Sequence, residues 1–140
     1  EYQLPDALRA LTGQGQRFLP GEVSAWMDCG NPKVTVETNG RVLEFMGDDA
    51  RVHEGASVEN SVVLPPCEIL PGAIIRNSVV GPRVTIGGDT VVTRSVIKDC
   101  LIGGHSKLDG VHLEGAMIGH HAKLINKPGD LSVGDYCEIQ

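Results

Sequence analysis

The sequence predicts a mainly β chain in which a parallel β-solenoid follows a short α/β segment. Three observations lead to this prediction: an aliphatic residue recurs every five or six positions after residue 46, 18 of the 140 residues are glycine, and only 4% are aromatic. A short fixed period indicates a solenoid in which each coil buries its apolar residues against the next. Many glycines suit tight corners, and a narrow interior has no room for aromatic rings.

The repeat runs through fourteen aliphatic positions, which are Val52, Val58, Val63, Ile69, Ile75, Val80, Ile86, Val92, Ile97, Ile102, Leu108, Leu113, Ile118 and Leu124. Three steps make one coil of 16 or 17 residues, so we expect three short strands per coil, stacked about 4.8 Å apart. A small or apolar residue comes four positions after most members, and His112 is the exception. His112 should therefore either point outward or mark a distorted coil. The period breaks at Asn126–Asp130, a loop by composition, and resumes at Val133.

Residues 1–46 differ in composition and sequence pattern from residues 47–140, and we divide the chain into two domains at this boundary. Leucine spacing predicts a helix from Gln3 to Leu11, and Val23 to Met27 is a plausible short strand. A second helix is expected over 32–45, with Asn31 as its N-cap and Pro32 in its first position. Because a solenoid end must hide its open strand edges, we expect the N-terminal segment to cap one end.

Composition excludes several function classes. The chain carries 12 basic and 18 acidic side chains, a net charge of −6, which makes nucleic acid an unfavourable partner. It has no apolar run of 18 residues and no signal peptide, so neither a membrane span nor export is expected, and the cytoplasm is the default location. The four cysteines at 29, 67, 100 and 137 are far apart, which favours buried small apolar residues over a zinc site or disulfides.

Three segments resemble a known family. The segment from Glu1 to Leu8 (EYQLPDAL) resembles the E-x-Q-L-T-D-A motif of sugar-phosphate nucleotidyltransferases, and Trp26 to Pro32 (WMDCGNP) is similar to their W-x-D-x-G-[TN]-P motif. Residues 39–43 resemble the segment that follows. The repeat resembles the hexapeptide repeat of left-handed parallel β-helices, and long bacterial, glucose-1-phosphate thymidylyltransferase-like members carry such a β-helix next. The resemblance covers essentially the whole chain and implies the left hand.

The resemblance also implies what the chain lacks. The family's Gly-rich nucleotide loop, G-x-G-[ST]-R-L, has no counterpart here, so we expect a C-terminal piece that is inactive alone. In the whole enzyme an NTP and a sugar 1-phosphate would give an NDP-sugar and pyrophosphate with Mg²⁺, and the β-helix would support a homo-oligomer. Asp28 matches a metal-ligating aspartate of the family; alternatively it caps a turn before Gly30. Glu1 and Trp26 are weak candidates for substrate contact, and packing is the favoured role for Trp26.

Histidines raise an alternative, because hexapeptide β-helices also include acyltransferases that use acyl-CoA and a histidine base. Asp89, His105 and His121 each lie three residues after an inward aliphatic residue, so we expect a column with neighbours about 5 Å apart. An Asp beside a His orients the imidazole. The alternatives are a solvated corner column or, less favoured, a metal site from His105, His120 and His121. A purely structural solenoid is the third hypothesis. The outer-wall arginines at 76, 83 and 94 are solubilising charges or, less favoured, an anion site.

Overall fold

The computed structural model describes residues 3–126 and 131–139, so the predicted loop at 126–130 lies almost wholly outside the described residues, as does Glu1. Within these ranges the two helices are α1, Leu4–Gly13, and α2, Pro32–Met46. The strands are β1 Ala50–Val52, β2 Ser57–Glu59, β3 Val62–Val63, β4 Cys67–Ile69, β5 Ile74–Arg76, β6 Val79–Val80, β7 Val84–Ile86, β8 Val91–Thr93, β9 Val96–Lys98, β10 Cys100–Ile102, β11 Lys107–Asp109, β12 His112–Glu114, β13 Met117–Ile118, β14 Lys123–Ile125 and β15 Glu138–Ile139.

The strands form three parallel sheets that wrap around one axis. Sheet 1 has the order β1-β4-β7-β10-β13, sheet 2 the order β15-β14-β11-β8-β5-β2, and sheet 3 the order β12-β9-β6-β3. Each strand pairs with the strand one coil away, as Ile69 does with Ile86 and Ile86 with Ile102. The predicted solenoid with coils of 16 or 17 residues is confirmed, and about five turns in three parallel sheets agree with the left-handed parallel β-helix.

The interior contains the predicted aliphatic column. From Ile69 to Leu124 every member is at most 2% exposed. In the first coil, Val52 is 46% and Val58 36% exposed. Their side chains have a coil on one side only, because β1 and β2 are the edge strands of sheets 1 and 2. The solenoid therefore has a buried core from β4 onward and an open N-terminal edge.

Where two successive aliphatic residues of the column are five positions apart, the predicted position of the small residue between them is wrong. The small inward residue lies two positions before each aliphatic residue, because side chains on one face of a strand alternate with a period of two. Ser78, Ser95, Cys100, Val111 and Ala116 are buried there, one position before the residues predicted by counting forward. His112 is exposed on β12 between buried Val111 and Leu113. It points outward from an undistorted coil.

Buried hydroxyl groups link successive coils. Ser95 Oγ accepts a hydrogen bond from Val111 N at 3.1 Å and donates to Thr93 O at 2.6 Å. Ser78 Oγ accepts from Ser95 N at 3.0 Å in the same way. Cys100 Sγ takes this position at another corner, where Ala116 N lies 3.4 Å away. These groups satisfy backbone N–H groups that the corners would otherwise leave buried without a partner.

The corners place residues in the left-handed region of backbone space. At the corner between sheets 1 and 2 the positive-φ residues are Gly55, Gly72, Asp89, His105, His121 and Tyr136. Glycine, Asn, Asp and His are the residues that reach this region most readily, which explains why they recur there. Because the corner sets the backbone, a polar side chain at this position points away from the core, into a column on the outside of the solenoid.

Helix α2 packs on the side of the solenoid, against β7, β10 and β13. The predicted cap on one end is therefore wrong: α2 buries Val36, Gly40 and Leu43 against sheet 1 instead. Asn31 is its N-cap, as predicted, and its side-chain oxygen accepts from Val34 N at 3.1 Å. Thr85 Oγ1 donates to Asn39 Oδ1 at 2.8 Å and links the helix to the solenoid.

The segment before α2 is irregular apart from α1, which begins one residue later and ends two residues later than predicted. The predicted strand from Val23 to Met27 is wrong, because no strand of the described residues pairs with it and a lone strand has no ladder. Cys67 and Cys100 are buried as predicted, whereas Cys29 and Cys137 are exposed. No helix in the described part of the chain is both long and apolar enough to cross a membrane.

Candidate functional site

Asp28 lies in the turn that leads into α2. Its Oδ1 accepts a hydrogen bond from Gly30 N at 3.0 Å, and its backbone carbonyl accepts from Thr38 Oγ1 at 2.7 Å. A Cβ at residue 30 would lie 3.3 Å from both carboxylate oxygens, so glycine allows the turn to close tightly. The turn-capping interpretation of Asp28 is thus observed, and the metal role stays a prediction.

The same geometry is compatible with one metal ligand. Among the described residues no hydrogen bond or ion pair engages Oδ2 of Asp28, and the residue is exposed. Mg²⁺ is commonly held by one or two carboxylates together with substrate phosphates and water. Residues 3–126 and 131–139 contain no group of three or more His, Cys, Asp or Glu arranged to hold a metal ion. Among the described residues, Asp28 therefore fits a metal site only as a single ligand.

Trp26 does not pack in this structure. Its side chain is 81% exposed, so the described residues give it no packing surface, and packing as its favoured role stays a prediction. The indole lies on the same irregular segment as Asp28, two residues away. Its role in substrate contact stays a prediction, as does that of Glu1.

Asp89, His105 and His121 form the predicted column. The imidazole rings of His105 and His121 are parallel within 6°, with centroids 4.9 Å apart. His105 Nδ1 lies 3.6 Å from Asp89 Oδ2, close enough for an ion pair when the imidazole is protonated. Both side chains are more than half exposed, 54% for His105 and 64% for Asp89. The structure shows the column, and its catalytic role stays a prediction.

Tyr136 extends this column and was missed from the sequence. Its ring stacks on His121 with centroids 4.7 Å apart and an angle of 8° between the planes. A signal was present: Val133 bridges Ile118, and Tyr136 follows Val133 by three residues, as His121 follows Ile118. The predicted period resumes at Val133, but the predicted column was not extended to Tyr136.

The surroundings of the histidine column resemble a solvated corner more than a cleft. His120 Nδ1 accepts a hydrogen bond from Gly104 N at 3.0 Å, and Asp135 Oδ1 accepts from His120 N at 2.7 Å. These contacts hold the backbone of the corner. The cavity beside α2 and the one at residues 60–62 and 77–79 are lined by other residues. An imidazole base needs a bound substrate within hydrogen-bond reach, and the exposure of His105 and Asp89 favours the solvated corner.

The three outer arginines pair with carboxylates of a neighbouring coil. Arg76 Nε lies 2.9 Å from Glu59, Arg83 bonds Asp99, and Arg94 lies 2.7 Å from Asp109. Hydrogen bonds from Arg94 and Thr93 lower the pKa of Asp109, and the hydrogen bond from Arg76 lowers that of Glu59. These pairs already satisfy the guanidinium groups, which favours the solubilising interpretation of their charges.

The coils form a hexapeptide-repeat β-helix. The turn with the sequence Trp26-Met27-Asp28-Cys29-Gly30-Asn31-Pro32 precedes it in the chain. Residues 42–100 match a family model described as the GlmU-like C-terminal hexapeptide. The chain is 30% identical over 161 residues to a glucose-1-phosphate thymidylyltransferase of Streptomyces griseus, an alignment that covers 100% of this chain and 45% of that protein. It is 29% identical over 140 residues to the glucose-1-phosphate thymidylyltransferase of Streptomyces antibioticus, covering 89% of this chain and 39% of that protein.

The resemblance found in the sequence is therefore confirmed. The chain is similar to the C-terminal part of bacterial glucose-1-phosphate thymidylyltransferases, and it matches the hexapeptide family model over residues 42–100. It spans less than half the length of the curated relatives it matches.

Proposed function

We propose that this chain is the C-terminal part of a sugar-phosphate nucleotidyltransferase. In the intact protein a sugar 1-phosphate oxygen attacks the α-phosphorus of an NTP, the bond to the β-phosphate oxygen breaks, and pyrophosphate leaves. The β-helix supports the catalytic domain and the assembly, and the 140-residue chain by itself is inactive. One observation carries the proposal: the motif that contains Asp28 is an ordered turn joined to α2, and α2 is packed on the β-helix.

In this proposal Asp28 contributes a ligand for Mg²⁺. The ion supplies charge neutralisation for the phosphates, which is a main part of catalysis in phosphoryl-type transfers. The amide of Gly30 fixes Oδ1, so Oδ2 is the oxygen left to bind. The hydroxyl of Thr38 holds the backbone of Asp28 against the first turns of α2, which keeps the carboxylate in place. The remaining ligands would come from the nucleotide and from parts of the protein beyond this chain.

The test uses the intact gene product. Pyrophosphate release is measured for a panel of NTPs with sugar 1-phosphates and Mg²⁺, comparing the wild type with Asp28→Ala. We expect release with at least one pair and a loss of at least about a hundredfold in the variant, the size seen when one charge-stabilising group is removed. Asp48→Ala is the matched control, since Asp48 is exposed between α2 and β1, and it should retain full activity. No release with any pair would contradict the proposal.

The proposed role of the β-helix in assembly points to sheet 3. The register places Val62, Val79 and Val96 in one outward row, of which Val62 is 53% and Val96 43% exposed. On sheet 1, α2 packs against β7, β10 and β13, and the outer face of sheet 2 carries ion pairs such as Arg76–Glu59. On sheet 3 the pair Lys98–Glu114 lies beside the apolar row. A second copy is the occupant proposed for the apolar row. Val96→Glu should convert an oligomer into a smaller species by light scattering, and an unchanged mass would contradict this assignment.

A histidine-dependent acyltransferase is the second candidate, favoured only by the ordered column of Asp89, His105 and His121. It predicts binding of acetyl-CoA to this chain, measured by calorimetry. His105→Ala and His121→Ala should remove the binding, whereas His112→Ala should not, because His112 lies on the outer face of sheet 3. Absence of binding in the wild type would contradict this candidate and leave the first one standing.

A further inference from the structure

Helix α2 packs on a surface that repeats along the solenoid. It contacts β7, β10 and β13, which carry Thr85, Leu101 and Met117 in register on the outer face of sheet 1. Successive coils offer similar surfaces about 4.8 Å apart, and apolar contact is not directional. Residues 47–49, which join α2 to β1, span up to about 10 Å when extended. Neither the apolar contacts nor this link selects one coil for α2.

A polar contact distinguishes the coils. Thr85 Oγ1 on β7 donates a hydrogen bond to Asn39 Oδ1 at 2.8 Å. Leu101 and Met117, on the next two coils, have no side-chain donor to replace this hydroxyl. On the preceding coil the same row carries Glu68, which pairs with His53 at 3.0 Å. Among these coils, Asn39 therefore finds a hydroxyl donor only at β7.

The contact of Asn39 is not the most stable one for its position. Its Nδ2 is buried and has no hydrogen-bond partner among the described residues, and an unpaired buried donor destabilises a fold. An apolar side chain at residue 39 would avoid this cost. Replacing buried polar groups by apolar ones is often neutral or stabilising, and fixing a register is the best-attested reason to retain them. Asn39 is therefore better explained by the position of α2 than by stability.

The neighbouring residue joins this contact to Asp28. Thr38 Oγ1 donates to the backbone carbonyl of Asp28 at 2.7 Å. Residues 38 and 39 thus connect the turn of Asp28 with the solenoid through one helix. A displacement of α2 by one coil would move Asp28 by about 5 Å relative to the β-helix. Mg²⁺ binds its ligands at about 2.0–2.1 Å, so a shift of this size would remove a carboxylate from a metal site.

We propose that Asn39 is a positioning residue whose hydrogen bond with Thr85 selects the coil on which α2 packs and so fixes Asp28 relative to the β-helix. The consequence for Mg²⁺ rests on the function proposed above for Asp28. The selection of the coil does not rest on it and is tested without any activity measurement. In this proposal the β-helix sets the geometry of the site in addition to supporting it.

The cysteines of the chain supply a pair of labels for this test. Cys29 adjoins Asp28, Cys137 lies in the last coil, and both are exposed. Cys67 and Cys100 are buried, and burial raises the pKa of both thiols, that of Cys100 to about 11. They should stay unmodified at neutral pH, since the thiolate is the reactive form. Nitroxides on the exposed pair report the distance from the Asp28 turn to the last coil by pulsed electron spin resonance.

The 140-residue chain should give one narrow distance distribution. The double variant Asn39→Leu and Thr85→Val removes both polar groups. It should broaden the distribution or add a population displaced by up to about 5 Å, while the free energy of unfolding in urea stays unchanged or rises. Thr85→Ser keeps the hydroxyl and should keep the narrow distribution. Thr93→Val, which removes a hydroxyl from the outer face of sheet 2, is the matched control and should keep it too.

Two results would overturn the selection of the coil by Asn39. One is an unaltered narrow distribution in the double variant. The other is a broader distribution together with a lower free energy of unfolding, because lost packing would then account for the movement. A broad distribution in Thr85→Ser would likewise show that the hydroxyl is not what positions α2.

A measurement on the intact gene product separates this proposal from that of nucleotidyl transfer. The double variant should raise the Mg²⁺ concentration for half-maximal pyrophosphate release at least about tenfold, the effect of losing groups that orient a metal ligand. Thr93→Val should leave it unchanged. No release by the wild type would contradict the proposed function, and the distances would still decide the role of Asn39. An unchanged Mg²⁺ requirement in the double variant would overturn the role of Asn39 at the metal site.

Discussion

Residues 3–30 and residues 67–124 differ in what their apolar side chains contact. Every residue from 3 to 30 is exposed, including Leu19 at 86% and Trp26 at 81%. Between 67 and 124 the inward aliphatic residues are at most 2% exposed. The first segment carries the motif that resembles nucleotidyltransferases, and the second carries the stabilising contacts. Motif and core are therefore separate in this chain.

The difference shows how a solenoid is stabilised. Each coil contacts its two neighbours, so burial, strand pairing and the internal hydroxyl bonds repeat along the axis. Residues 3–30 join no sheet, and their hydrogen bonds are the short-range ones of α1 and of the turn at Asp28, together with one from Thr38 of α2 to the Asp28 carbonyl. Substitutions of equal size should consequently have very different effects in the two regions.

The largest expected effect is in the middle of the aliphatic column. Ile86→Ala removes a side chain that is 0% exposed between Ile69 and Ile102. It should lower the free energy of unfolding by about 2–5 kcal/mol, measured by urea denaturation. Leu11→Ala is the control in α1, where Leu11 is 41% exposed, and it should cost less than about 0.5 kcal/mol. Similar losses in the free energy of unfolding for the two variants would contradict the difference between the two regions.

A smaller effect is expected from the internal hydroxyl bonds. Ser95→Ala leaves the buried amide of Val111 without its acceptor. The cost of an unsatisfied buried donor is about 1–3 kcal/mol, again measured by urea denaturation. Ser24→Ala changes an exposed serine of the N-terminal segment and should be neutral. If Ser95→Ala were neutral too, the hydroxyl bonds would be incidental to coil stacking.

The smallest effect concerns pH. The hydrogen bond from Arg94 lowers the pKa of Asp109, so this pair stabilises the fold above the unfolded-state pKa of about 3.9 and loses that effect as the pH falls through the lower folded value. Arg94→Gln should therefore lower the free energy of unfolding slightly at neutral pH and have no effect in strong acid. Arg9→Gln, at an exposed pair in α1, should show no such difference. A cost for Arg94→Gln that did not shrink in acid would contradict the assignment to this ion pair.

Much of the solenoid was predictable because its residues obey a period. The aliphatic column, the coil length and the histidine column all follow from positions that recur, and the N-cap at Asn31 follows from local chemistry. The small-residue position failed in the five-residue steps because it was counted forward from one strand across a corner. Counted back from the next aliphatic residue, within a single strand, it holds at Ser95 and Val111 alike.

The segment before α2 was less predictable, because its structure depends on partners. A strand at 23–27 needs a neighbouring strand, and packing of Trp26 needs a surface, and the described residues supply neither. The position of α2 on sheet 1 depends on tertiary contacts such as Thr85 with Asn39. The approach of Arg83 to Glu44 was likewise invisible in the sequence, since the two meet only after the coil and the helix have packed.

Native-state hydrogen exchange tests most directly whether the coils, and not the segment that carries Asp28, hold this chain together. Amides of β7, β8 and β10 should exchange only through global unfolding, whereas those at 14–27 should exchange at nearly the rate of an unstructured peptide. Ile86→Ala should accelerate the first group and leave the second unchanged. Strong protection at 14–27 would contradict the separation of motif and core. So would slow exchange there that becomes faster in Ile86→Ala together with the exchange of the coils.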